Sequence, residues 1–243
     1  MFNYSLIMAA GKGERMFHLT KNNPKALVRV NKKPLILYTL EQVIKTSGQI
    51  FITIGHKGDK VADFVSSKGE FRFINTNLKG NAWWIQHSCL KTVNEPVLVF
   101  ACDIITMIDI DFIYHNYKKA GFPVCMLISI TPVDGVDADF IFGKNGQVTS
   151  LSRTEKSVRC SSGIQIINPC RINRLLNIVP EDFNELWTVL IEKKLLHYSD
   201  TYPHCWYSIN TPEQLEIAKK ILYLKSASKK FCRFRKEITV FSG

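Results

Sequence analysis

The sequence predicts an α/β fold built on a parallel sheet, and three observations carry that expectation. An apolar run, Leu6 to Ala10, reads as a buried strand that breaks into Gly11-Lys12-Gly13-Glu14-Arg15. Two further runs, Ile50 to Ile54 and Phe71 to Ile74, are rich in β-branched and aromatic residues. Helical stripes separate them, so the order strand, helix, strand, helix, strand implies right-handed crossovers. With 243 residues, 46% hydrophobic and 22% charged, the chain can bury a substantial core and is not disordered in its body.

Taken in order, the first strand ends in two glycines that let the backbone turn sharply with its N–H groups free. Those amides, with Lys12, Arg15 and Lys25, form a concave site suited to a polyphosphate. The dinucleotide fingerprint is excluded because its third glycine falls on Met16, and the P-loop pattern lacks its closing Gly-Lys-Ser/Thr. Pro34 to Ser47 carries Ile36, Leu40, Val43 and Ile44 on one helical stripe, opened by a proline at a tolerated position. Asp59 to Lys68 reads as the second helix. Ligands of such sheets sit beyond the carboxyl ends of the strands, where the glycine loop lies.

The loop Asn75 to Trp84 leads into a helix through Ile85 and Leu90. Pro96 to Ala101 is a strand running into Cys102-Asp103, and an aspartate there needs a partner, which a metal would supply. Asp109 caps a helix from Phe112 to Lys119. Pro123 to Ile130 is another strand, and Lys144-Asn145-Gly146 joins two more as a hairpin. A strand-like segment, Cys160 to Pro169, precedes a helix from Phe183 to Lys194, a short run Leu195 to Tyr198 and the stretch Cys205 to Leu215.

No apolar run approaches the roughly 20 residues that span a bilayer, and no signal core opens the chain, so a cytoplasmic location is expected. Seven scattered cysteines without a Cys-x-x-Cys pair read as reduced, buried thiols. The formal charge of +11 suits anionic nucleotides; no interleaved aromatic and basic motif points to nucleic acid. We expect a domain over 1–224 and a basic tail over 225–243, in which Lys225, Lys229, Lys230, Arg233, Arg235 and Lys236 form a solvated or interacting arm. The sequence leaves the oligomeric state open.

Ala9-Ala10-Gly11-Lys12-Gly13-Glu14-Arg15-Met16, followed by Pro24-Lys25-Ala26-Leu27, resembles the opening signature of nucleotidyltransferases that join a nucleoside triphosphate to a phosphorylated small molecule. Lys25 comes ten residues after Arg15, as in the sugar-1-phosphate and phosphocholine branches, whereas the lysine comes sooner in molybdopterin guanylyltransferases. His18 stands where that branch usually has proline. The segment Cys160 to Pro169 resembles the acceptor-contacting segment of sugar enzymes, with Ser161 in place of a frequent asparagine. Trp206 to Leu215 resembles their closing motif, with Ser208 at the earlier aspartate position.

The resemblance implies a Rossmann-like three-layer αβα domain with a mixed, mainly parallel central sheet and a small β-hairpin acceptor lobe. It implies Arg15 and Lys25 as catalytic cations, and nucleotide contacts from Ala9, Ala10, Gly11, Lys12, Gly13, Asn75, Gly80 and Asn81. Ser162, Gly163 and Trp83 would contact the acceptor, and Asp103 with Asn210 would hold Mg²⁺. Cys102 replaces a glycine beside that aspartate. The implied reaction moves a nucleoside monophosphate from the triphosphate to a sugar 1-phosphate, releasing pyrophosphate. Two alternatives stand beside it. One is a CTP:phosphocholine cytidylyltransferase, in which Trp83-Trp84 contribute to a cage for a quaternary ammonium; the other is an inactive nucleotide-binding regulator. If no cage forms, one tryptophan packs in the core and the other lies at the surface.

Overall fold

The structure, a computed structural model, describes residues 2–227. Its first strand, β1 (Tyr4–Met8), is an interior strand, third from one edge, of a sheet of nine strands. After it come a short hairpin, β2 (Arg29–Val30) and β3 (Lys33–Pro34), then α1 (Leu35–Val43), β4 (Gln49–Ile54), α2 (Gly58–Ser66) and β5 (Arg72–Asn75). A short α3 (Trp84–His87), β6 (Val97–Ala101), β7 (Ile104–Thr106) and α4 (Ile110–Lys119) complete the first half. The second half contributes β8 (Cys125–Ile130), β9 (Phe140–Lys144), β10 (Gln147–Ser152), β11 (Cys160–Ile167) and α5 (Pro169–Leu175). The last elements are α6 (Phe183–Glu192), β12 (Leu196–Tyr198), β13 (Trp206–Ser208) and α7 (Pro212–Ala227).

Most expected element boundaries hold to within a few residues, but the helix expected through Ile85 and Leu90 is broken: α3 ends at His87, Ser88 is extended, and Cys89–Thr92 is a separate 3-10 turn. α7 crosses the expected domain boundary at 224, and from residue 228 the basic tail lies outside the described residues.

The sheet order is β5-β4-β1-β6-β11-β8-β12-β10-β9, and the first four strands are parallel. Alternation along β1 explains why its sequence is apolar throughout: Ile7 faces one cluster and Leu6 the other. The first cluster holds Leu40 of α1, Val61 of α2, Ile113 of α4 and Leu215 of α7; the second holds Trp84 of α3, Ile172 of α5 and Leu186 of α6. Helices therefore cover both faces, giving the three-layer arrangement.

β11 is inserted antiparallel between β6 and β8, which makes the sheet mixed. Its register shifts between Ser161 and Gln165, where Gly163 has φ +76°, a bulge conformation that a side chain strains. Asn145 (φ 52°) and Gly146 (φ 78°) form the tight turn between β9 and β10, as the Asn-Gly pair predicts. That hairpin is not free-standing. β10 pairs with β12 and β9 returns to β11, so five strands form a closed circuit.

Candidate active site

The site begins where β1 ends. Ala9 N–H donates to Thr53 Oγ1 at 3.1 Å, and Ala10 carbonyl accepts from His56 N–H at 3.2 Å, so both residues are tied to the end of β4. The chain then leaves the sheet, and a side chain at Gly11 would meet only open space. Gly13 differs: φ is +66°, and a Cβ would lie 2.8 Å from Lys25 Cβ. The glycine is thus required twice, by the backbone and by the lysine running past it. Thr20 Oγ1 closes the loop by donating to Gly13 carbonyl at 3.0 Å, while Lys57 Nζ donates to Thr20 carbonyl at 2.8 Å.

Lys25 follows Pro24 at the start of a single 3-10 turn, Lys25–Leu27. Its ammonium donates to Asp103 Oδ2 and, at 2.7 Å, to Asn210 Oδ1. The Lys25 and Asp103 side chains are only 12% and 17% exposed, so this ion pair is poorly screened by water.

Asp103 follows β6. Asn210 reaches it because β13 pairs antiparallel with β7, and Ile209 N–H extends the ladder by donating to Asp103 carbonyl at 3.0 Å. The Asn210 amide is oriented from behind: its Nδ2 donates to Ser208 Oγ at 3.0 Å, leaving Oδ1 toward Lys25. Its backbone N–H donates to Gln214 Oε1 at 2.7 Å. Ser208, the departure from the familiar motif, therefore orients the amide beside it. Burial and the Asp103 charge push the Cys102 thiol up to about 12, with Lys25 acting in the opposite direction, so the thiol stays neutral.

These groups open into a cleft of about 830 Å³ beyond the carboxyl ends of β1, β4 and β6. Ala10, Gly11, Lys12 and Gly13 form one wall with Arg15. Gly80 and Asn81 line another side, and Lys25, Asp103 and Asn210 meet within the same cleft. A Cβ on Gly80 would lie 2.3 Å from Glu181 carbonyl, so only glycine allows that close approach. Asn81 Oδ1 accepts from Phe183 N–H at 2.8 Å and so also caps α6.

Other expected residues lie outside the lining. Ala9 is buried beside β4, and Asn75 Oδ1 accepts from Asn77 N–H in a local turn. Ser162 is fully buried: its Oγ accepts from Ile164 N–H, and its carbonyl accepts from Trp206 Nε1–H at 2.6 Å. Gly163 faces Ala101 and Ile104. Trp83, half-buried against the second core cluster, stacks on His87 with centroids 4.8 Å apart, and Trp84 is fully buried.

Sequence reasoning missed Thr53, Thr76 and Asp182, which also line the cleft. Thr53 and Thr76 had a signal, their position at strand ends. Asp137 had none: it pairs with Arg15 across 122 positions from a loop without a pattern.

Asp103 and Asn210 present one carboxylate and one oriented amide oxygen to a single point now held by an ammonium. Hard oxygen donors of this kind fit Mg²⁺, whose remaining shell would come from water and phosphate.

A cleft at the carboxyl ends of a parallel sheet, walled by a glycine loop and floored by a carboxylate, defines the class of α/β proteins that take ligands at the strand ends. The nucleotidyl transferase family model matches residues 4–139, and the chain belongs to that family. It is 24% identical over 202 residues to bifunctional protein GlmU of Methanococcus maripaludis, covering 79% of this chain and 46% of that one. The chain thus spans less than half the length of that relative. It is 40% identical over 72 residues to choline-phosphate cytidylyltransferase of Streptococcus pneumoniae, covering 29% of this chain and 31% of that one. The fold matches a UDP-glucose pyrophosphorylase complexed with UDP-glucose at a TM-score of 0.75 and 17% identity, over 93% of this chain and all of the other. Among the described residues, no helix is long and apolar enough to cross a membrane.

Proposed function

We propose that the chain transfers a nucleoside monophosphate from a nucleoside triphosphate to a sugar 1-phosphate. The observation that carries this reading is the meeting of Lys25, Asp103 and Asn210 in the cleft walled by the Gly11 to Gly13 loop. A phosphate oxygen of the acceptor attacks the α-phosphorus in line, the bond to the bridging oxygen breaks, and pyrophosphate departs. Arg15, Lys12 and the loop amides hold the departing pyrophosphate, while Lys25 spans the α-phosphate and the acceptor phosphate. Mg²⁺ at Asp103 and Asn210 would neutralise charge on the nucleotide oxygens.

The similarity to choline-phosphate cytidylyltransferase supports phosphocholine as a second acceptor. The stacking of Trp83 on His87, outside the cleft, leaves the sugar phosphate as the first choice. An inactive regulator is a weaker reading, because Gly11, Gly13, Arg15, Lys25 and Asp103 all line one cleft. The test is pyrophosphate release with each nucleoside triphosphate against sugar 1-phosphates and phosphocholine in Mg²⁺. Turnover that survives both Lys25→Ala and Arg15→Ala overturns the mechanism, and turnover of CTP with phosphocholine alone reverses the acceptor order.

A further inference from the structure

We infer that Lys25 is a built-in counter-ion occupying the divalent-cation position, so that a metal enters only as the nucleotide draws the lysine away. The identity of the cation rests on the proposed function, whereas the two contacts of Lys25 do not. The Lys25 ammonium donates to both oxygens expected to hold the metal, Asp103 Oδ2 and Asn210 Oδ1. One ammonium cannot share that point with a dication. Both the Lys25 and Asp103 side chains are largely covered, which makes their attraction strong and like-charge crowding costly.

Charge balance decides the order of events. With Lys25 in place, Asp103 is neutralised, and the two oxygens offer a cation little net attraction. A metal arriving alone must expel the ammonium without giving it another anion. A triphosphate changes this, because its oxygens provide the ammonium with a new partner in the same cleft, where Lys25, Lys12 and Arg15 all reach. Lys25 moves onto phosphate as the metal takes over Asp103 and Asn210. Nucleotide and metal therefore bind with positive coupling, and the lysine carries it.

The surrounding structure fits a site whose cation changes while its oxygens stay. Asn210 is held through both its amide nitrogen and its backbone N–H, and Asp103 carbonyl is tied to Ile209. Lys25 sits at the start of a single 3-10 turn, and its side chain can swing about its own torsions.

The experiment measures Mn²⁺ binding to nucleotide-free protein by electron paramagnetic resonance, in the wild type, Lys25→Met and Lys25→Met/Asp103→Asn. The inference expects Lys25→Met to bind Mn²⁺ roughly tenfold more tightly than the wild type, and the double variant to lose that gain. Equal or weaker binding by a folded Lys25→Met overturns it.

A second measurement needs no variant. Acetylation of Lys25, followed by mass spectrometry on the nucleotide-free wild-type chain, is expected to keep its rate as millimolar Mg²⁺ is added, because without a triphosphate the ammonium has no other anion to move to. A several-fold quickening by Mg²⁺ alone overturns the inference, because the metal would then expel the lysine without a nucleotide. Pyrophosphate release by the wild type tests the proposed function separately: turnover without the Mn²⁺ gain sinks only the inference, and the gain without turnover sinks only the function.

Discussion

Lys25 Nζ lies 2.7 Å from Asn210 Oδ1, although the two residues are 185 positions apart in the chain. A glycine on one side and a two-stranded ladder on the other make that contact possible. The lysine side chain passes through the space where a Gly13 side chain would stand. The amide is delivered by β13 pairing with β7.

Gly13→Ala should therefore damage activity through the position of Lys25. Left-handed backbone in alanine costs about 1–2 kcal/mol, and the added methyl must also push Lys25 Cβ from its 2.8 Å approach. We expect a urea midpoint lowered accordingly and turnover reduced roughly 100-fold, since small misplacements of a positioning group are amplified in rate. Retained turnover would show that Lys25 finds its place without the glycine.

Gly80→Ala should act on stability first. Its Cβ would fall 2.3 Å from the Glu181 carbonyl, a backbone atom that cannot simply rotate aside. We expect a loss of about 1–3 kcal/mol by thermal or urea denaturation, as for other overpacked sites. The same shift would strain the contact of Ala82 N–H with Glu181 carbonyl and the Asn81 cap on α6.

Asp137→Asn should be nearly silent in stability. The Arg15 and Asp137 side chains are about 60% exposed, and exposed pairs contribute little, ~0.5 kcal/mol or less. Releasing Arg15 should tighten inorganic pyrophosphate binding a few-fold at low salt, measured by calorimetry, and about 0.5 M salt should erase the gain.

Acid should unfold the protein partly through Asp109. Its burial alone would raise the carboxyl, but hydrogen bonds from His204 Nε2–H at 2.8 Å and Phe112 N–H at 2.9 Å prevail and hold it below its usual value. The sign follows: the contribution is complete above the unfolded carboxylate value of about 3.9 and is lost as pH falls through the lower folded value. Asp109→Ala should cost about 1 kcal/mol at pH 7 through the lost helix cap. The wild type and variant should converge as pH falls below that lowered folded value, in urea midpoints measured across pH.

The linear pattern was enough for much of the fold. Apolar runs at β1, β4 and β6, separated by helical stripes, dictate a sheet covered on both faces, because each strand must bury side chains in both directions. Local chemistry likewise marked Gly11 to Gly13, the Asn145-Gly146 turn and the Asp109 cap, each of which depends on neighbours a few residues away. The antiparallel insertion of β11 between β6 and β8 was not legible, since its partners are chosen by pairing across long separations.

The same division holds in the site. Sequence singled out Lys25, and the family resemblance paired Asp103 with Asn210 as implied metal ligands. Only the tertiary structure brought them to one point, and only it showed that Ser162 and Trp83 fall outside the cleft and that Asp137 meets Arg15. The physical reason is that local sequence sets which way a chain turns and which residues it buries. Which distant carboxylate a cation meets is decided by strand order and loop closure, and those are settled by the packing of the whole chain.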